Sequence, residues 1–312
     1  MRLAVIDMGT NTFNLIISEL HQNQFEILFS TKEPVKLGQK LKTLHRIDSQ
    51  GIQRIIQVLK KYLNIVKEYS VKEIIALATS SIRTAQNQQE VLDIIKQETG
   101  IQVHVIDGDR EAELIYLANK YAIDTCINQS LDTPYLIMDI GGGSTEFIIS
   151  NNDNCLWKKS FLLGMARLID ELKPQDPITQ QDIDKVYNYL SSQLQELAEN
   201  VSRYSPKILV GSSGVFDSIV EMIEANIHPL HKNSSCCKID LKDFYTIFNQ
   251  ILPLPYQDRL QYKGLIPMRA DMIIMSLLII DYVLKTYKIE ELIVSFYSLK
   301  EGVIIEKMKY LS

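Results

Sequence analysis

The residues around Asp7 recur around Asp139, and this recurrence constrains the fold more than any other feature of the chain. Ile6-Asp7-Met8-Gly9-Thr10-Asn11-Thr12 lies over Met138-Asp139-Ile140-Gly141-Gly142-Gly143-Ser144 at a spacing of 132 residues, without a gap. The register continues, with Leu15-Ile16-Ile17-Ser18 on Phe147-Ile148-Ile149-Ser150. Each copy reads as an apolar strand ending in Asp, a turn of Gly and hydroxyl residues, and a second strand. Gly and Asn are ordinary hairpin-turn residues, so a single copy is equally well explained as a plain turn. Two in-register copies, each with Asp before the turn, favour a shared chemical purpose. A length of 312 residues fits roughly two domains, each able to bury its own core.

The arrangement makes physical sense for phosphate. Turn glycines allow positive φ and close backbone approach, and successive backbone N–H groups form an anion-binding nest. Thr10, Thr12, Ser144 and Thr145 can add hydroxyl donors. Asp7 and Asp139, at strand ends, suit Mg²⁺ or its waters.

Elsewhere strands and helices alternate. Strands are expected over 3–6, 14–20, 25–30, 73–78, 103–106, 135–140, 146–150, 155–161, 207–210 and 292–294. Apolar residues at 52, 55, 56, 59, 62, 63 and 66 mark one face of a helix. Further helices are expected over 88–98, 109–121, 178–204, 215–224, 244–251 and 269–285, and from 299 onward. This is the pattern of an α/β layer structure. The polar stretch 128–134 is the expected domain join, and 226–238 and 253–264 read as surface loops.

A net charge of −5 argues against a dedicated nucleic-acid binder, although a local positive cleft can still steer a polyanion. Lys32, Lys36, Lys40 and Lys42 form the one dense early basic cluster and read as a solvated face. The four cysteines, Cys126, Cys155, Cys236 and Cys237, form no CxxC pair and suggest reduced thiols in a cytosolic compartment. His228 and His231 with Cys236 and Cys237 fit no structural zinc spacing and read as a solvated loop. The first apolar run ends at Asp7, too short for a signal core. Met272–Ile280 falls far below the ~20 residues that cross a bilayer and reads as a buried helix.

With these residues assembled, the chain resembles the Ppx/GppA exopolyphosphatase and pentaphosphate phosphohydrolase family over nearly its whole length. The first phosphate motif matches Ile6–Phe13, with threonines where serines are more usual. A Thr-x-x-x-Arg-x-Ala-x-Asn element matches Thr79 to Asn87, and an acidic helix motif matches Asp107 to Ile115. The second phosphate motif matches Asp139 to Glu146. Gly211-Ser212-Ser213-Gly214, Arg269-Ala270-Asp271 and Ser298 to Gly302 follow in the expected order. Two features depart from the family: Arg110 stands where an acidic residue is frequent, and the helical region of longer members is missing.

The resemblance implies an α/β fold of two ribonuclease H-like domains, as in the actin, sugar kinase and heat-shock chaperone superfamily, with an interdomain cleft. The expected domains are 1–125 and 126–312. It implies release of terminal phosphate from polyphosphate or guanosine pentaphosphate, with Glu111 as general base, Arg83 on the phosphoryl oxygens, and Asp139, Glu146 and Asp7 toward Mg²⁺. A helix N-terminus favours a charged carboxylate at Glu111, so orienting the water matters more than basicity. The loops of Gly9, Thr10, Asn11 and Thr12, of Gly141, Gly142, Gly143, Ser144 and Thr145, and of Gly211, Ser212, Ser213 and Gly214 would hold phosphates. A homodimer is a further expectation from the resemblance; nucleic-acid and membrane partners are not expected. A non-catalytic sensor of polyphosphate or guanosine tetraphosphate, and an ATP-dependent kinase of the same superfamily, are the rival readings.

Overall fold

The computed structural model describes residues 1–22, 24–37, 45–126, 131, 133–152, 154–232 and 235–310. Lys40 and Lys42 of the basic cluster, residues 128–130 and 132 of the expected join, and residues 233–234 of the first surface loop lie outside them. The chain opens with strands β1 (Arg2–Met8), β2 (Thr12–Leu20) and β3 (Phe25–Pro34). Helix α1 (Ser49–Glu68), β4 (Glu73–Ala78), α2 (Ser80–Thr84), α3 (Gln88–Thr99), β5 (Val103–Val105) and α4 (Gly108–Cys126) follow. Next come β6 (Tyr135–Ile140), β7 (Thr145–Ser150), β8 (Cys155–Phe161), α5 (Met165–Leu172), α6 (Gln180–Gln193), α7 (Gln195–Tyr204) and β9 (Ile208–Ser212). The remaining elements are α8 (Gly214–Asn226), β10 (Cys236–Ile239), α9 (Leu241–Ile251), α10 (Tyr256–Arg259), α11 (Ile273–Thr286), β11 (Glu291–Ser295) and α12 (Leu299–Lys309).

Two compact units emerge. The first holds Met1–Ala118, the short turn Gly141–Gly143 and the segment from Leu299 onward. The second holds Asn119–Ile140 and Ser144–Ser298.

In the first unit the sheet order is β3-β2-β1-β4-β5. The β1–β2 and β2–β3 pairs are antiparallel, whereas β1–β4 and β4–β5 are parallel. Parallel pairing needs a crossover, and α1 supplies it between β3 and β4. It starts where the Asp48 carboxylate accepts the Gly51 N–H at 2.7 Å, an N-cap contact. It buries Ile55, Val58, Leu59, Tyr62 and Val66 on one face, and the Tyr62 hydroxyl donates to the Phe13 carbonyl at 2.7 Å. The interior of this unit is built from Ile6, Phe13, Leu15, Leu59 and Tyr62.

In the second unit the order is β10-β11-β9-β6-β7-β8. Read from its other edge, β8-β7-β6-β9-β11 repeats the first sheet with the same senses of pairing. Only β10, antiparallel to β11, is additional. The 132-residue repeat is therefore a repeat of topology, and both units are α/β layers of ribonuclease H-like type. Every residue of β6 and β7 is buried, as expected of strands covered on both faces. Helix α11 buries all residues from Ile273 to Leu284.

Several expectations are corrected. The single helix over 178–204 is two helices, α6 and α7, meeting at Leu194 (φ −101°, ψ 24°), where the side chain is buried. Amides on both sides keep i→i−4 bonds, so the apolar period runs through the break undisturbed. The helix expected from 269 begins at Ile273, after a 3-10 turn over Pro267–Arg269. Cys236 and Cys237 lie buried on β10, not in a solvated loop. Cys126, at the end of α4, is disulfide-bonded to Cys236 with Cα atoms 5.9 Å apart, which corrects the expectation of four thiols; Cys155 and Cys237 are free. The 253–264 segment is no plain surface loop, because Arg259 is buried there. Its guanidinium donates to Asp176 at 2.7 Å and to the carbonyls of Leu254 and Ala270.

Candidate active site

In the first unit Asp7 ends β1 directly opposite Asn14 on β2, whose amide donates to its carboxylate at 2.9 Å. The turn between them closes with Gly9 N–H on the Thr12 carbonyl at 3.2 Å. A Cβ on Gly9 would stand 2.9 Å from that carbonyl oxygen, which explains glycine there. The carbonyls of Thr10 and Asn11 accept the amides of Val35, Lys36 and Leu37, anchoring the turn from below. The Ser81 hydroxyl donates to Thr10 Oγ1 at 2.7 Å.

The Gly141–Gly143 turn packs in the same unit. A Cβ on Gly142 would meet the Asn11 amide at 2.2 Å, and one on Gly143 would meet Ser80 Oγ at 2.5 Å and Thr10 Oγ1 at 2.7 Å. None of the motif glycines has positive φ; among the described glycines only Gly100 and Gly264 do. The expectation of left-handed turn glycines is thus corrected. Their lack of a side chain serves close approach.

Arg83 and Glu111 meet in this unit. Arg83 sits on α2, and its Nη1 donates to Glu111 Oε2 at 2.9 Å and to the Ile106 carbonyl at 2.8 Å. Glu111 lies in the first turn of α4 and is only 6% exposed. Asp107 caps that turn, its carboxylate accepting the Arg110 amide at 2.8 Å. The unexpected Arg110 side chain turns to Glu113 at 3.2 Å and to Glu306 of α12. These ion pairs give Arg110 a structural occupation and raise its guanidinium above its ordinary value, chiefly through the Glu306 hydrogen bond.

In the second unit Asp139 ends β6, and its cross-strand partner on β7 is Glu146. Both are buried. One Asp139 oxygen accepts the hydroxyls of Ser212 at 2.8 Å and Ser298 at 2.6 Å, and Ser160 donates to Glu146 at 2.6 Å. The repeat thus differs where it matters. Asp7 faces an amide donor, whereas Asp139 faces a second acid, and like charges directly opposite each other repel. A cation there would relieve the repulsion. Two carboxylates with hydroxyls are hard oxygen donors, and Mg²⁺ is typically held by one or two carboxylates plus waters and substrate phosphates. The residues fit the ion; among the described residues no group of three or more His, Cys, Asp or Glu forms a closed protein cage.

The third glycine turn is less open to a ligand than its sequence suggests. Gly211 belongs to β9, where a Cβ would strike the Phe216 ring at 2.2 Å. At Gly214 the space is filled by the Arg269 guanidinium. Ser213 stands at φ 81° and ψ 171° and donates to the Ile140 carbonyl at 3.1 Å. The Thr145 hydroxyl donates to the Leu163 carbonyl at 2.9 Å, and Ser144 is buried.

Ser80, Ser81, Ser160 and Ser298 were not singled out as site residues from the sequence. Ser160 faces Glu146 only through the β7–β8 register. Ser298 sits within the 298–302 landmark, and Ser80 and Ser81 lie within the Thr79–Asn87 element.

Duplicated β3-β2-β1-β4-β5 sheets, each with an Asp just before its first hairpin turn, define the class: an α/β fold of actin-like type. The particular family follows from comparison: the chain belongs to the Ppx/GppA phosphatase family, whose profile matches residues 16–311. Its structure is similar to that of an exopolyphosphatase from Cytophaga hutchinsonii, with a TM-score of 0.92, 36% identity, and coverage of 99% of this chain and 98% of that one. It is 26% identical over 313 residues to exopolyphosphatase 1 of Mycobacterium tuberculosis, covering 99% of this chain and 88% of that protein. It is 25% identical over 302 residues to the guanosine-5'-triphosphate,3'-diphosphate pyrophosphatase of Pseudoalteromonas translucida, covering 96% of this chain and 58% of that protein. No helix among the described residues is long and apolar enough to cross a membrane.

Proposed function

We propose that this protein is a phosphohydrolase that releases terminal orthophosphate from inorganic polyphosphate or guanosine pentaphosphate. The observation that carries the reading is the buried Glu111 carboxylate held by Arg83. In the reaction a water oxygen bonds to the terminal phosphorus and the bridging P–O bond breaks. Glu111 accepts the water proton, and the shortened phosphate chain leaves with the bridging oxygen. Arg83 fixes the direction of the Glu111 carboxylate and brings positive charge toward the transferred group. The turns at Gly9–Thr12 and Gly141–Gly143 contribute backbone donors. Asp139 and Glu146 would hold Mg²⁺, which when bound neutralises charge on the phosphates. Phosphoryl transfer asks a protein mainly for positioning and electrostatics, and these groups supply both.

The test is phosphate release with Mg²⁺ from polyphosphate, guanosine pentaphosphate and, separately, ATP, beside a Glu111→Gln control. Loss of a general base lowers turnover by about 10²–10⁴-fold. That loss with polyphosphate or guanosine pentaphosphate is the expected result, and the better substrate names the activity. Binding without release from any substrate would instead favour a sensor.

A further inference from the structure

Ser80 and Ser81 open α2, and their hydroxyls have different surroundings. Ser81 donates to Thr10 Oγ1 at 2.7 Å. Ser80 is 2% exposed, and its Oγ has no hydrogen-bond partner among the described residues. Its surroundings are defined by Gly143. A carbon built on that glycine would lie 2.5 Å from Ser80 Oγ and 2.7 Å from Thr10 Oγ1, so the two hydroxyls flank the bare Gly143 backbone. Buried polar atoms are nearly always satisfied, and one left alone opposes folding. An alanine at this position would remove that cost, so the hydroxyl calls for a partner from outside the chain.

We propose that Ser80 is a substrate-contacting residue, its Oγ–H donating to a non-bridging oxygen of the phosphoryl group seated against Gly141–Gly143. This rests on the phosphohydrolase reading of the same site. A phosphate oxygen suits the position because it is an anionic acceptor, and an O–H···O⁻ bond is short and strong. The contact is also tied to the chemistry. Ser80 is the first residue of α2 and Arg83 the fourth, and Arg83 grips Glu111 at 2.9 Å. One helical turn therefore links the phosphate contact to the carboxylate that takes the proton.

Inorganic tripolyphosphate with Mg²⁺ is the probe. Its binding is measured by calorimetry in the Glu111→Gln background, with and without Ser80→Ala, and steady-state kinetics are measured with Glu111 present. Ser80→Ala should weaken binding about tenfold or more. It should raise KM by a similar factor, leave the pH profile unmoved and leave the ligand-free Tm unchanged or higher. Ser80→Cys, nearly isosteric and a weaker donor, should fall between. Unaltered binding and KM in Ser80→Ala overturn the proposal, as does a fall in ligand-free Tm without a binding defect. Turnover that ignores Ser80→Ala sinks this contact alone. Binding that depends on Ser80 but leads to no phosphate release sinks the hydrolase reading and keeps the contact. Absence of any tripolyphosphate binding overturns both.

Discussion

Ser213 occupies a backbone region that is essentially reserved for glycine, at φ 81° and ψ 171°. Such a residue stores roughly 1–3 kcal/mol of strain, and its hydrogen bond to the Ile140 carbonyl returns about 1 kcal/mol. Ser213→Gly should therefore stabilise the protein, by up to about 1 kcal/mol, in a urea titration. A destabilised variant would show that the hydroxyl contact outweighs the strain. The sequence presents Ser213 only as the third residue of a Gly-Ser-Ser-Gly turn, and nothing in the letters reveals its dihedral angles. The same limit holds for Ser160 and Ser298, whose partners depend on strand register and on residues 14 and 159 positions away. The places of Asp139 and Glu111 in the fold were legible, a strand end before glycines and a helix start after Asp107, whereas the role expected of Glu111 came only from the family resemblance. The meeting of Arg83 with Glu111 was not legible, since it depends on how α2 and α4 are carried by the sheet.

Helix α6 gives the sharpest case at the next scale. The Thr179 hydroxyl accepts the Asp182 amide at 3.2 Å and the Asp182 carboxylate accepts the Thr179 backbone N–H at 3.3 Å, closing a capping box, and the same hydroxyl donates to that carboxylate at 2.7 Å. The Thr179 hydroxyl, aided by the amides of Gln175 and Thr179 and by Lys185, holds the Asp182 carboxyl below its ordinary value, against the opposing effect of burial. A depressed folded value means the contribution is present above the unfolded value, about 4, and fades as pH falls through the folded one. The stability gap between the native protein and Asp182→Asn should thus be largest near neutrality and shrink in acid. Urea melts across a pH series read this directly; a gap that stays constant would contradict the assignment. Thr-x-x-Asp was in plain view in the sequence, yet the apolar period extended the helix past its true end. Periodicity registers faces, and Leu194 keeps facing the core while the backbone breaks beneath it. The strand β10 escaped notice for a related reason: four residues are too few to establish a period of two.

For the whole molecule, the repeat was the most legible property, because topology follows where two copies of one hairpin are laid down. The cysteine pairing was the least legible. Cys126 and Cys236 stand 110 residues apart, and only the packing of the second unit brings them together. Protein purified without reductant and then unfolded should expose two thiols to a thiol reagent, Cys155 and Cys237, and four after reduction. Closing a loop of that length stabilises a folded chain by roughly 2–4 kcal/mol, so reduction should lower Tm. Four reactive thiols before reduction would show that the bond does not form.

The first unit is also made from both ends of the chain. Gly302 of α12 lies so close to the Leu114 carbonyl that a Cβ would come within 2.0 Å of it, and Lys307 reaches Glu73 at 2.7 Å. With the Arg110–Glu306 pair, these contacts join α12 to β4 and to α4. On a ribosome, which delivers residues in order, the amino-terminal sheet must wait with one side uncovered while the entire second unit emerges and folds. The unit that carries Glu111 is thus finished only after the second unit has emerged, when α12 clears the exit tunnel.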